Sequence, residues 1–208
     1  MWEISRDKFL SKEEAKQLIS RCEEKAALDK MKGRKTWVKR FMLVDLVFYS
    51  GLRVREVSLL QIRDLRFRKG ENQIFIAKGK GKGGKTGCIT IDNKLSSHLK
   101  DFIRDKALWN ESITPESYLL CPKDGEAYTR RALQKSFKEA LKEAGLPSYF
   151  SIHCARHTYA TNLLAACGNL RLVQKQLRHS NIATTAVYAD ILDPQIVTRA
   201  VEGMRESL

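Results

Sequence analysis

The sequence predicts a mainly helical α+β domain carrying a small three-stranded antiparallel sheet. Three observations lead there. Capping signals bracket apolar-periodic stretches in both halves of the chain, as helices require. Between them, over residues 63–91, the apolar period changes from helical spacing to alternation, the mark of strands. No internal repeat, low-complexity tract or Pro/Gly-rich linker divides the chain.

Ser11-Lys12-Glu13-Glu14 is a capping box, so a first helix is expected from there to about Lys25, with a polar, basic loop over 26–36. Trp37 to Ser50 is apolar on nearly every side and ends at Gly51, which reads as a buried central helix with a glycine cap. A short helix follows to about Gln61. Arg63 to Arg68 alternates, Lys69-Gly70-Glu71-Asn72 is a turn signal, and Gln73 to Ala77 is the second strand. Lys78 to Gly87 is a Gly/Lys-rich loop before a third strand, Cys88 to Ile91. The remainder is helical: about 93–109, 129–144 with Thr129 as N-cap and Gly145 after the end, 153–167 and 170–178, then shorter pieces near 182–189 and 194–206.

A chain of 208 residues suits one large domain or two small ones and can bury a real core. No apolar run reaches the length of a membrane span; the longest, Phe41 to Tyr49, is interrupted by Asp45. The N-terminal residues lack the layout of a signal peptide, so a cytoplasmic location is expected. Five widely spaced cysteines with no CxxC pair argue against a disulfide framework or a zinc ribbon. Charge is the first functional clue. Lys and Arg total 38 against 24 Asp and Glu, a net +14, which attracts polyanions by steering and counterion release. No amphipathic anchor or polybasic tail supports an anionic membrane as the partner, so nucleic acid is favoured.

Cutting a phosphodiester without metal needs a nucleophile, cationic hydrogen-bond donors for a pentavalent phosphorane, a base, and an acid for the leaving oxygen. Arginine suits the donor role because its planar fork stays charged and can grip two phosphate oxygens. Four stretches offer such groups. Gly51-Leu52-Arg53 puts an arginine after a helix end, with Glu56 one turn on. His153-Cys154-Ala155-Arg156-His157 puts His153 and Arg156 three apart, on one helix face. Val173 to Tyr188 contains His179 and, nine residues later, Tyr188. The loop interleaves Lys78, Lys80, Lys82 and Lys85 with glycines that let backbone approach a phosphate. Each has a bland reading on its own: a glycine cap with a solvated charge, a polar helix end, a core tyrosine, a solvated turn. Metal binding by His153 and His157 at four-residue spacing lacks the intervening Glu of a metalloprotease and an obvious third ligand, so no metal or cofactor is expected.

Together the four stretches resemble the tyrosine recombinase (phage integrase) family, in the family's order and from about residue 8 to 192. Gly51 to Val57 is similar to its first arginine box, His153 to Thr158 to its His-x-x-Arg-His box, and Leu177 to Tyr188 to its Leu-Gly-His-Ser and nucleophile motif. The resemblance implies the helical catalytic domain of DNA breaking-rejoining enzymes, acting on double-stranded DNA. It implies that Tyr188 attacks to give a 3′-phosphotyrosyl bond, that Arg53, Arg156 and His179 neutralise the phosphorane, and that His153 acts as base. Lys82, or Lys80 because the loop is about two residues longer than the family's usual form, would protonate the leaving oxygen. A homotetramer on DNA is implied, with the final segment, Asp193 to Leu208, packing on a neighbouring copy or folding back on its own core. The alternatives are a type IB topoisomerase-like enzyme relaxing DNA as a monomer, or a sequence-specific DNA-binding protein with a vestigial site. Three positions depart from the family pattern: Arg178 stands where a Gly is usual, Ala155 where a Leu is common, and Gly87 where an Arg often precedes the third strand. A single catalytic domain over residues 1–208 is expected, without the N-terminal core-binding domain most relatives carry, as in a trimmed chain or the short fimbrial-switch recombinases.

Overall fold

Ser11 opens the first helix as the sequence predicts: its Oγ accepts from the Glu14 N–H at 3.1 Å, and the Glu14 carboxylate accepts from the Ser11 N–H at 2.7 Å. In this computed structural model, residues 8–68, 70–77, 86–123 and 125–189 are described. Helix α1 (Lys12–Met31) buries Ala15, Leu18, Cys22 and Ala26 along one face. It runs six residues beyond the expected Lys25, so residues 26–31 are helix rather than loop. The extension is tied down from a distance. Asp29, buried, accepts from the Trp37 N–H at 2.8 Å and pairs with Arg34 at 3.0 Å.

Helix α2 (Thr36–Ser50) is the central rod, with Val38 and the whole run Met42 to Phe48 buried. Helix α1, α4 (Asn93–Leu108), α5 (Arg130–Glu143) and α6 (Ile152–Cys167) all pack on it, which accounts for its apolar surface on nearly every side. The rod ends at Gly51, in the left-handed conformation with φ 61°. A Cβ there would lie 2.4 Å from the Tyr159 ring. Gly51 is therefore required twice, by backbone and by space. Gly51→Ala should cost about 2–4 kcal/mol in urea or thermal unfolding, summing left-handed strain and overpacking.

Helix α3 (Val54–Ser58) and a 3₁₀ turn (Ile62–Asp64) lead into strand β1 (Leu65–Arg68). A turn at Gly70 joins it to β2 (Glu71–Ile76), which pairs with β3 (Gly87–Thr90) in the antiparallel order β1-β2-β3. Ile76 stands opposite Gly87 where the basic loop leaves the sheet. Residues 78–85 of that loop, Lys80 and Lys82 among them, lie outside the described residues. Helices α7 (Leu170–Leu177) and α8 (Ala183–Ala186) complete the described chain, and the helix expected near 194–206 falls outside it.

The interior divides in two. A main cluster runs from Leu10 through α1 to α5, the sheet and the start of α6. A smaller one consists of Ala160, Leu164, Val173, Leu177 and Tyr188. Cys22, Cys121 and Cys154 are buried as small apolar groups, while Cys88 and Cys167 are exposed. No described helix is long and apolar enough to cross a membrane.

Candidate active site

The C-terminal carbonyls of α2 and α7 point into one gap, and Arg156 fills it. From the second turn of α6, nearly buried at 7% exposure, it donates through Nη1 to the Gly51 carbonyl and through Nη2 to the Leu177 carbonyl at 2.8 Å. Helix C-termini carry partial negative charge, so a guanidinium is the natural group to join two of them. Burial, then the nearby Arg53, brings the Arg156 pKa down to about 10, which leaves it charged at neutral pH.

Around Arg156 lies a cavity of about 670 Å³ lined by Lys8, Arg53, His153, His157, His179 and Tyr188 among others. Five of the six sequence-predicted site residues that are described or expected there (Arg53, His153, Arg156, His179 and Tyr188) come together at it; the sixth, Lys82, lies outside the described residues. Arg53 sits at the start of α3, its backbone N–H donating to Glu56 Oε2 at 2.8 Å and its Nη1 to Oε1 at 3.1 Å. Glu56 thus both caps the helix and orients the guanidinium. His153 stands in the first turn of α6, exposed at the cavity edge. Its pKa is lowered by partial desolvation in the cleft, then by Arg156 and Arg53.

His179 is held on both nitrogens. Nδ1 lies 2.9 Å from Oγ1 of the buried Thr185, and Nε2 lies 3.0 Å from Arg156 Nη2. Arginine can only donate, so Nε2 is the acceptor here and Nδ1 carries the proton. Donation from Nε2 to an incoming anion therefore requires His179 to gain a proton or exchange tautomers, and negative charge at the cavity favours that. Tyr188 is 2% exposed, packed in the smaller cluster, with Oη 3.0 Å from His157 Nδ1. Burial raises its pKa against the opposing pull of Arg156 and Arg53.

The resemblance implies His153 as base; the imidazole hydrogen-bonded to the Tyr188 phenol is that of His157. Lys8 and Thr185 carried no signal of their own. Lys8 reaches the cavity because Leu10 is clasped by Thr158 of α6, through its N–H at 2.9 Å and its carbonyl at 3.4 Å. Two departures from the family pattern turn out to be neighbours. Arg178 caps α7 in the left-handed region (φ 52°), and its Cδ would lie 2.7 Å from a Cβ at Gly87. Among the described residues no three His, Cys, Asp or Glu gather as a metal site.

The imidazoles make the site sensitive to acid. Burial first, then Arg156, lowers His157 and His179 from 6.5 to about 4. The unfolded chain then binds more protons than the folded one between those values, so stability is full above about 6.5 and drains away as pH falls toward 4. Thermal unfolding should give a Tm that declines over this window; a flat profile would mean the rings are not shielded.

The cavity holds two guanidiniums, an ammonium, neutral imidazoles and a phenol, with Glu56 the nearby carboxylate: a site for an anion. The model of the phage integrase family matches residues 8–194. Tyrosine recombinase XerC of Proteus mirabilis is 30% identical over 149 residues, 72% of this chain and 46% of that protein. Tyrosine recombinase XerA of Pyrococcus furiosus is 30% identical over 184 residues, 88% of this chain and 57% of that protein. The structure of XerH site-specific recombinase bound to palindromic difH substrate, a post-cleavage complex, aligns with a TM-score of 0.73 at 25% identity, over 92% of this chain and 52% of that one. The chain spans about half the length of the curated relatives it matches. With the motifs, the helical fold with its three-stranded sheet, and the family match agreeing over nearly the whole described chain, the chain belongs to the phage integrase family.

Proposed function

We propose that this chain cuts and rejoins double-stranded DNA as a site-specific recombinase, through a 3′-phosphotyrosyl bond to Tyr188. The observation that carries this is the meeting of Arg53, Arg156, His179 and Tyr188, from separate stretches of chain, at one electropositive cavity. Similarity to tyrosine recombinases supports it.

Arg53 and Arg156 would grip the scissile phosphate, with His179 donating from Nε2 once protonated. The Tyr188 oxygen attacks phosphorus as its proton passes to an imidazole. His157 is the one hydrogen-bonded to the phenol, while His153, at the cavity edge, would face the phosphate. The bond to the 5′-oxygen breaks, and Lys82, or Lys80, supplies its proton. In support, the loop leaves the sheet at Gly87, which packs against the residue preceding His179. Attack by the 5′-hydroxyl of a partner duplex reverses the step, so bond energy is conserved and no ATP or metal is required. Exchange between two duplexes needs four cuts, hence four copies on DNA.

Randomly nicked genomic DNA from the source organism tests this. Nicks beside the cleavage site let the short 5′-ended fragment diffuse away and trap the covalent complex. Protein–DNA adducts surviving denaturant should be recovered and share one sequence. Two copies of that sequence on a plasmid should then recombine. Relaxed circles without exchange would indicate a topoisomerase-like activity instead, and the absence of any adduct would indicate a DNA-binding protein only.

A further inference from the structure

Glu56 is 1% exposed and faces two guanidiniums, not one. Arg53 hydrogen-bonds it, and Nη2 of Arg178 lies 2.6 Å from the same Oε1. The second contact is a close buried ion pair, and both terminal nitrogens of Arg178 are shielded from solvent. Burial raises the Glu56 pKa, but Arg178 first and then Arg53 outweigh it and hold the carboxyl below its ordinary value. Arg178 does not line the cavity.

A non-glycine residue at φ 52° is disfavoured, and among the described residues only Asn110 shares such a backbone. The side chain is nonetheless only 10% exposed, threaded past Gly87 where no Cβ obstructs it. A strained backbone, an opened path and a buried charge all serve one contact, with Glu56.

We propose that Arg178 is a positioning residue that neutralises Glu56 so that Arg53 keeps its charge available to the phosphate. This rests on the proposed DNA cleavage. The physical reason is charge balance. With neutral imidazoles, Arg53, Arg156, Arg178 and Lys8 against Glu56 leave a net +3 at the site; without Arg178 it is +2. A phosphodiester carries one negative charge and its phosphorane two. Arg178 therefore favours the transition state over the bound substrate, and its loss falls on rate rather than affinity.

The test uses Arg178→Gly, which relieves the left-handed strain while removing the guanidinium, Arg178→Lys, and Arg178→Gly combined with Glu56→Gln. On the nicked duplex recovered as above, Arg178→Gly should slow single-turnover adduct formation by about 10- to 100-fold, with DNA Kd within about threefold of wild type. Lys should restore part of the rate, and Glu56→Gln most of it, because the unbalanced carboxylate is then gone. Tungstate, a dianion, gives a DNA-free readout by calorimetry: about tenfold weaker binding to Arg178→Gly, recovered in the double variant. Wild-type rate and tungstate affinity in Arg178→Gly would overturn the proposal, as would a double variant no better than the single one. If the wild-type chain forms no adduct, the DNA-cleavage reading fails, while the tungstate titration still decides the role of Arg178.

Discussion

Replacing Tyr188 with phenylalanine should remove covalent protein–DNA adducts altogether, a fall on the order of 10⁴-fold or more, as when a covalent nucleophile is deleted. The fold should survive. The ring stays packed among Ala160, Leu164, Val173 and Leu177, and the one bond lost is that from Oη to His157 Nδ1. That bond contributes about 1 kcal/mol, so unfolding midpoints should shift little. DNA affinity should hold too, because the cations that attract phosphate are untouched. The measurement is denaturant-resistant adduct yield on a nicked duplex, paired with equilibrium binding. An undiminished yield in the phenylalanine variant would mean another residue attacks.

Arg156→Lys should fail in two ways at once. The charge remains, but one ammonium cannot reach both the Gly51 and Leu177 carbonyls and also His179 Nε2, as the fork does. One carbonyl and the imidazole lose their donor. A stability loss of about 2–3 kcal/mol follows from leaving buried acceptors unpaired. Adduct formation should fall about 10²- to 10³-fold, the usual effect of removing one preorganised donor. Arg53→Lys makes the comparison. Arg53 is a quarter exposed and bonded to Glu56 rather than to carbonyls, so it should lose rate with little stability. A wild-type Tm in Arg156→Lys would show that the guanidinium does not join the two helix ends.

Much of this was legible because the signals are local. The Ser11 and Thr129 caps and the Gly51 terminator are decided within one helical turn, and the start of α1, the end of α2 and both ends of α5 fall within a residue of the sequence reading. The arginine and histidine boxes are short, so their resemblance to the family's motifs pointed to residues that line the cavity. What the sequence hid is non-local. The last turns of α1 depend on Asp29 reaching Trp37 and Arg34, contacts that no periodicity announces. The partner of the Tyr188 phenol is His157, 31 residues away, a pairing that no local pattern announces. Arg178 and Gly87 stood out as departures, yet only packing reveals that the side chain of one occupies the space the other leaves empty.

The two-part interior bears on alignment. The phenol belongs to the lesser cluster, whereas Arg53 is braced by Glu56 and α3 within the larger body. The links between the two include Arg156 to Gly51, Arg178 to Glu56, Thr158 with Leu10, and Gln176 with Thr90. Two of them run through the cationic groups themselves, so the contacts that join the clusters also fix where the phenol stands relative to the guanidiniums.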